Sequence, residues 1–146
     1  TMKGGVVALI SILGVSWLGP SSIEASQSAI VNGISAEIHM HPWVFAAGMF
    51  ALSVLLFSRA AAVATLVPMG LALGLPPYVL LGSFTAANGT FFLPTYGTVL
   101  AAVSFDQTGT TRIGKFLLDH SFMRPGLVAT VSATAVATLL ARWLFA

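Results

Sequence analysis

Cysteine is absent, so disulfides and thiolate metal sites are excluded and the redox compartment stays open. Charge is nearly absent as well. Only 7% of the 146 residues are Asp, Glu, Lys or Arg, against roughly a quarter in an ordinary soluble domain. A chain this poor in charge cannot clothe a water-facing surface, which excludes a soluble enzyme, a nucleic-acid binder and a disordered tail. The pI near 9.5 rests on a net charge of only +2 and is no argument for an anionic macromolecular partner. What is present is apolar: 57% of residues, with a mean hydropathy of +0.95. The few charges leave gaps of 20, 46 and 17 residues, beginning after Lys3, Arg59 and Arg124. About 20 apolar residues cross the hydrocarbon core of a bilayer. The expected fold class is an all-α membrane protein, with the lipid bilayer as its solvent and no nucleic-acid partner.

Residues 4–19 read as a transmembrane helix of roughly 24 Å. No small-x-small cleavage site follows at a convincing distance, so a removable secretion signal is set aside. The opening Thr1-Met2-Lys3 points to a chain that begins partway through a larger gene product. Residues 20–42 are polar and serine-rich. Ile23, Ile30, Ile34 and Ile38 fall near helical spacing, as in a helix lying at the interface. Trp43 to Phe57 is an apolar stretch worth about 22 Å of helix, short of the ~30 Å hydrocarbon core. The tip Ser58-Arg59-Ala60-Ala61-Ala62 follows, then a second apolar run ending at Pro76-Pro77. Residues 43–75 therefore read as a re-entrant hairpin, whose non-helical tip is tolerated at depth only if buried or lining a cavity.

Residues 78–105 are long enough to cross but are interrupted by Asn88, Gly89, Pro94 and Gly97 among several threonines. A broken transmembrane helix exposes backbone groups and half-helix dipoles that bind an ion or an anionic solute. The charges from Asp106 to Arg124 mark 106–121 as a polar loop, and 122–145 is the last transmembrane helix. The hairpin returns to its own side, so Lys3, Arg112, Lys115 and Arg124 share one face and Arg142 marks the other. The positive-inside rule makes the 106–121 loop cytoplasmic and puts segment 20–42 and the C-terminus on the extracytoplasmic side.

Arg59 is the most informative residue, because an arginine in a hydrophobic segment costs several kcal/mol unless paired or solvated. Either it sits in a short turn between two full crossings, or at a hairpin tip it grips a carboxylate with a two-pronged hydrogen bond. Thr85, Asn88, Thr90 and Thr95 read either as glue between helices or, clustered with Gly89 and Pro94, as a binding site. Glu37, His39 and His41 resemble metal ligands, but histidines at i, i+2 lie on opposite sides of a helix. His39, His41 and His120 lie near membrane ends, which disfavours haem ligation; no metal and no cofactor are expected. Gly109 to Lys115 imitates a phosphate-binding loop, yet Phe116 stands where a metal-binding Ser or Thr belongs. Gly109 and the threonines are expected to shape a turn and cap a short helix around Ile113–Asp119.

Several stretches together carry a resemblance. Ser58-Arg59-Ala60-Ala61-Ala62, Phe92-Leu93-Pro94-Thr95-Tyr96, the run from Phe105-Asp106-Gln107-Thr108-Gly109 through Thr110-Thr111-Arg112-Ile113-Gly114-Lys115-Phe116, and Asp119-His120-Ser121-Phe122 resemble the Dcu family. Those are bacterial anaerobic transporters of four-carbon dicarboxylates, and the resemblance covers roughly residues 42–127. It implies the C-terminal portion of such a transporter, completed by an N-terminal portion. It further implies one half of an inverted-repeat architecture, each half holding a re-entrant hairpin and a broken helix. Ser58 falls where those hairpins place a serine, whereas Arg59 stands where an uncharged amide is usual. Asn88, Gly89 and Thr95 fall in the unwound region facing the hairpin. The substrate-binding residues expected are Ser58, Arg59, Thr85, Asn88, Gly89, Thr90 and Thr95. The implied activity is not enzymatic: it is transport of fumarate, succinate, malate and aspartate across the bacterial inner membrane, by antiport with alternating access. A homodimer and a periplasmic C-terminus are expected. The residues alone reach only a site for a polar, anionic solute. They leave open a carrier for another organic or inorganic anion, and a membrane-anchor subunit of a respiratory enzyme.

Overall fold

The computed structural model describes residues 6, 7, 9, 10, 13, 37, 38, 41–114 and 119–145. The expected helix at 4–19 and segment at 20–42 fall largely outside these residues, as do Lys3, His39 and Lys115. Among the described residues from Trp43 onward the α-helices, in chain order, are α1 (Trp43–Leu55), α2 (Arg59–Ala72), α3 (Pro77–Phe84), α4 (Gly97–Phe105) and α5 (Met123–Phe145). A 3-10 turn at Gly89–Phe91 lies between α3 and α4. Among the described residues the extended structure is confined to one isolated antiparallel bridge, Ile113 to His120.

The helix ends follow from local chemistry. α1 ends where Phe57 takes a left-handed conformation, φ 49°, which costs an L-residue about 1–2 kcal/mol and reverses the chain. Ser58 is extended and caps α2, its Oγ accepting from the Ala61 N–H at 3.2 Å. Pro77 opens α3 at a position where a missing N–H costs nothing. α1 and α2 have 13 and 14 residues, so each is about 20 Å long.

Phe45, Met49, Leu52 and Leu56 recur at helical spacing on one face of α1. They pack with Ala62 and Leu66 of α2, Val79 of α3, and Ala86 and Ala87 beyond it. Between membrane helices the lipid is as apolar as the side chains, so close packing rather than escape from water holds such contacts. The α3–α5 contact, the most extensive between two helices, illustrates this. A Cβ on Gly82 would fall on the Thr138 side chain and backbone, so glycine is what lets the two helices approach. α5 has 23 residues, about 34 Å, and is the one helix among the described residues long and apolar enough to cross a membrane. Its outer residues Val128, Val131, Val136, Leu139, Leu140 and Trp143 are exposed, as suits a lipid-facing surface.

At its described ends the connection after α4 departs from the capped helix expected around Ile113–Asp119, of which residues 115–118 lie outside the described residues. Gly109 turns the chain with φ +68°, but Ile113 pairs with His120, and the Ser121 N–H donates to the Arg112 carbonyl at 3.1 Å. Instead of capping a helix, the threonines turn back to Asp106. Its carboxylate accepts from the Thr108 N–H at 2.8 Å, Thr108 Oγ1 at 2.6 Å and the Thr111 N–H at 2.6 Å, and also from Thr111 Oγ1.

Candidate functional site

Residues 85–96 form a break between α3 and α4, and the site is built around it. A non-helical segment has few hydrogen bonds of its own, so its polar groups must find partners on neighbouring elements. Three such partners are visible. On α1, the fully buried Ser53 Oγ donates to the Phe50 carbonyl at 2.7 Å and accepts from the Gly89 N–H at 2.8 Å. Gly89 is needed for that approach, because a Cβ there would meet Val54 Cγ2 at 2.5 Å and the Phe50 carbonyl at 2.8 Å. At the start of α2, an Arg59 guanidinium nitrogen donates to Asn88 Oδ1. From the loop before α5, the buried His120 ring meets the Phe92 carbonyl through Nε2 at 3.1 Å. The Phe50 ring adds edge-on contact with Phe92, centroids 5.5 Å apart, and a tilted contact with Phe91.

Arg59, Asn88 and Gly89 are thus brought together, although 29 residues separate the arginine from the asparagine. Arg59 is exposed and, among the described residues, forms no ion pair. A guanidinium has five N–H donors, and the amide of Asn88 neutralises none of its charge. Ser58 lies beside Arg59 with its hydroxyl engaged in capping. Thr90 and Thr95 are half-buried in the break, with no side-chain partner among the described residues. Thr85 belongs elsewhere: its Oγ1 donates to the Gly82 carbonyl at 3.0 Å and meets Thr134 Oγ1 of α5 at 3.2 Å. That is the glue arrangement between helices, and it turns Thr85 away from Arg59.

Ser53 and His120 are absent from the residues singled out in the sequence for solute binding. Ser53 had a usable signal, being the lone polar side chain between Trp43 and Phe57; a polar group on the buried face of an apolar helix requires a partner. His120 has no comparable local signal.

A groove of about 760 Å³ opens between α1, α3 and α5, lined by Trp43, Phe50, Tyr78, Leu127, Val131 and Leu139 among others. Its walls are mostly apolar, with the Ser83, Thr130, Thr134 and Thr138 side chains among them but no charged group, so the groove and the Arg59–Asn88 cluster are chemically distinct. Among the described residues no group of three His, Asp or Glu side chains is placed to hold a metal ion. Outside the helices, hydrogen bonds from the Thr108 side chain first, then from Thr111, hold the Asp106 carboxyl well below the ordinary carboxylate range.

Comparison with known proteins gives a consistent result. The family described as anaerobic C4-dicarboxylate membrane transporter matches residues 1–145. The C4-dicarboxylate transporter DcuA of Wolinella succinogenes is 41% identical over 141 residues, covering 97% of this chain and 33% of that protein. DcuA of Escherichia coli K12 is 44% identical over 140 residues, covering 96% and 32%. The anaerobic C4-dicarboxylate transporter DcuB of Escherichia coli O6:H1 is 36% identical over 144 residues, covering 99% and 31%. The chain therefore spans about a third of the length of these relatives. No solved structure matches it.

Proposed function

The chain belongs to the family of anaerobic C4-dicarboxylate membrane transporters, and from that premise we propose that it forms half of a dicarboxylate site, read by Arg59 and the Asn88–Thr95 break. Membership removes the respiratory-anchor alternative, because the family and its relatives are transporters and not enzymes. The observation that carries the proposal is the exposed Arg59 guanidinium, held by a neutral amide of the break with no carboxylate beside it among the described residues.

Chemistry supports the reading in three ways. A guanidinium fork matches a carboxylate in a two-pronged hydrogen bond. The start of α2 adds the positive end of a helix dipole. The Thr90 and Thr95 hydroxyls supply further uncommitted donors. In this proposal α1 and α2 form a re-entrant hairpin over 43–75, consistent with helices of about 20 Å facing a core of ~30 Å. α3 and α4 are the two halves of one broken crossing over 78–105. The chain is one repeat of an inverted pair, and the remainder of the transporter supplies the opposing half. Fumarate, succinate, malate and aspartate exchange by antiport with alternating access across the bacterial inner membrane, with a homodimer as the working assembly.

Counterflow of labelled fumarate and of a monoanionic analogue, in vesicles carrying the complete transporter, tests the site. Arg59→Ala is expected to weaken fumarate by roughly one to two orders of magnitude, the weight of a charge-assisted bond. The monoanion should lose less. Asn88→Ala removes a neutral partner and costs both substrates roughly two- to tenfold. Equal losses for the two substrates in Arg59→Ala, or no loss at normal membrane expression, place Arg59 outside the site.

A further inference from the structure

Building on the reading that the break is half of a solute site, we propose that His120 is a positioning residue: its Nε2–H, donated to the Phe92 carbonyl, latches the loop before α5 onto the break. The other two anchors, Ser53 on Gly89 and Arg59 on Asn88, hold the first part of the break. His120 serves the far part, where the chain leaves the 3-10 turn toward Thr95. Among the described residues no backbone N–H donates to the Phe92 carbonyl, and an unsatisfied carbonyl away from water is costly. His120 meets that demand at 3.1 Å while only 7% exposed.

The ring's other nitrogen makes the case stronger. A carbonyl only accepts, so in this contact Nε2 carries a hydrogen and donates it. Nδ1 is buried without a partner. A residue present merely to fill space would be apolar and would orphan nothing. The backbone on both sides of His120 is pinned: the Gly114 N–H donates to the Asp119 carbonyl, and the Arg112 N–H donates to Ser121 Oγ at 2.9 Å. The imidazole therefore reaches Phe92 from beside a braced bridge, and displacement of the loop is transmitted to the Leu93–Tyr96 arm.

Two readouts in the complete membrane-embedded protein test the latch. The first is the maleimide labelling rate of a Thr95→Cys variant, which needs no transport activity. His120→Leu is expected to raise it roughly three- to tenfold, the equilibrium weight of one hydrogen bond. His120→Gln, whose amide nitrogen reaches the Nε2 position, should stay near the parent rate. His120→Asn, polar but one carbon shorter, should behave like leucine, and it replaces leucine if that variant fails to accumulate. The second readout is uptake, where the leucine and asparagine variants should lower the ratio of maximal rate to KM for fumarate and the glutamine variant should not, because only the first two release the arm that carries the Thr95 hydroxyl. Labelling that is equal in all variants, or glutamine behaving like asparagine, overturns the latch. If the parent takes up no dicarboxylate, the functional reading fails while labelling still decides the role of His120.

Discussion

Replacing Ser53 by alanine removes a single oxygen and tests whether α1 holds the break. The serine is fully buried and its Oγ is the acceptor for the Gly89 N–H at 2.8 Å. Leaving a buried donor unsatisfied costs about 1–3 kcal/mol, whereas side-chain bonds between membrane helices average ~0.6 kcal/mol. The higher range applies here, because the donor is backbone in a segment that has no helical partner to fall back on. One partial refuge exists. The Phe50 carbonyl lies close to Gly89 and has a second lone pair, although the first already serves the α1 ladder. About 1–2 kcal/mol is therefore expected, a shift of roughly five- to thirtyfold in the folding equilibrium. Reversible unfolding of the complete protein in mixed detergent measures it, with the exposed Ser104→Ala of α4 as a control expected within about 0.5 kcal/mol of the parent. Ser53→Cys, a weaker acceptor, should fall between the two. If Ser53→Ala is as stable as the control and transports as well, the Gly89 bond does not hold the break and the argument fails.

Two further outcomes follow from the loop and from the charges. The Asp106 carboxyl is held low by the threonines around it, so its contribution is present above the ordinary value near 3.9 and is lost as pH falls toward the folded value. Amide exchange at Thr108 and Thr111 should stay slow from about pH 7 to 5 and become fast in Asp106→Ala; unchanged exchange in that variant rejects the account. If the asymmetry of Lys and Arg sets the orientation, with the 106–121 loop cytoplasmic, then in intact cells Gln107→Cys should be shielded from an impermeant thiol reagent and a cysteine after Phe145 should be labelled. The reverse pattern rejects that topology.

The helix limits are legible in sequence because breakers and charges mark them: Pro42 before α1, Ser58 before α2, Pro76-Pro77 at α3, Asp106 after α4. The break is legible for the same reason, since Asn88, Gly89 and Pro94 interrupt an apolar run. What spacing cannot carry is the choice of partner between distant polar groups. Thr85 and Asn88 stand three residues apart in one polar cluster, yet one faces Thr134 of α5 and the other faces Arg59. His120 and Phe92 are 28 residues apart, and a carbonyl leaves no mark in a sequence. The helix expected at Ile113–Asp119 illustrates competition. Its would-be capping threonines are drawn to Asp106, and the chain beyond them forms an isolated bridge from Ile113 to His120.

The unequal helix lengths bear on how such a chain is built into a bilayer as it leaves the ribosome. A nascent segment partitions by its own length and polarity before it has neighbours. α1 and α2 are too short, and an arginine at a helix centre, such as Arg59 would be if 43–72 entered as one segment, opposes entry by about 2.5–3.5 kcal/mol. α3 and α4, with 8 and 9 residues, are shorter still. Among the described residues α5 is the one helix that qualifies as an independent span, and it is the last of these elements to be synthesised. The seat of α3 on the Thr138 face can therefore form only after α5 has been made. A ribosome that stalls before Met123 leaves α3 without that face and Thr85 without its Thr134 partner.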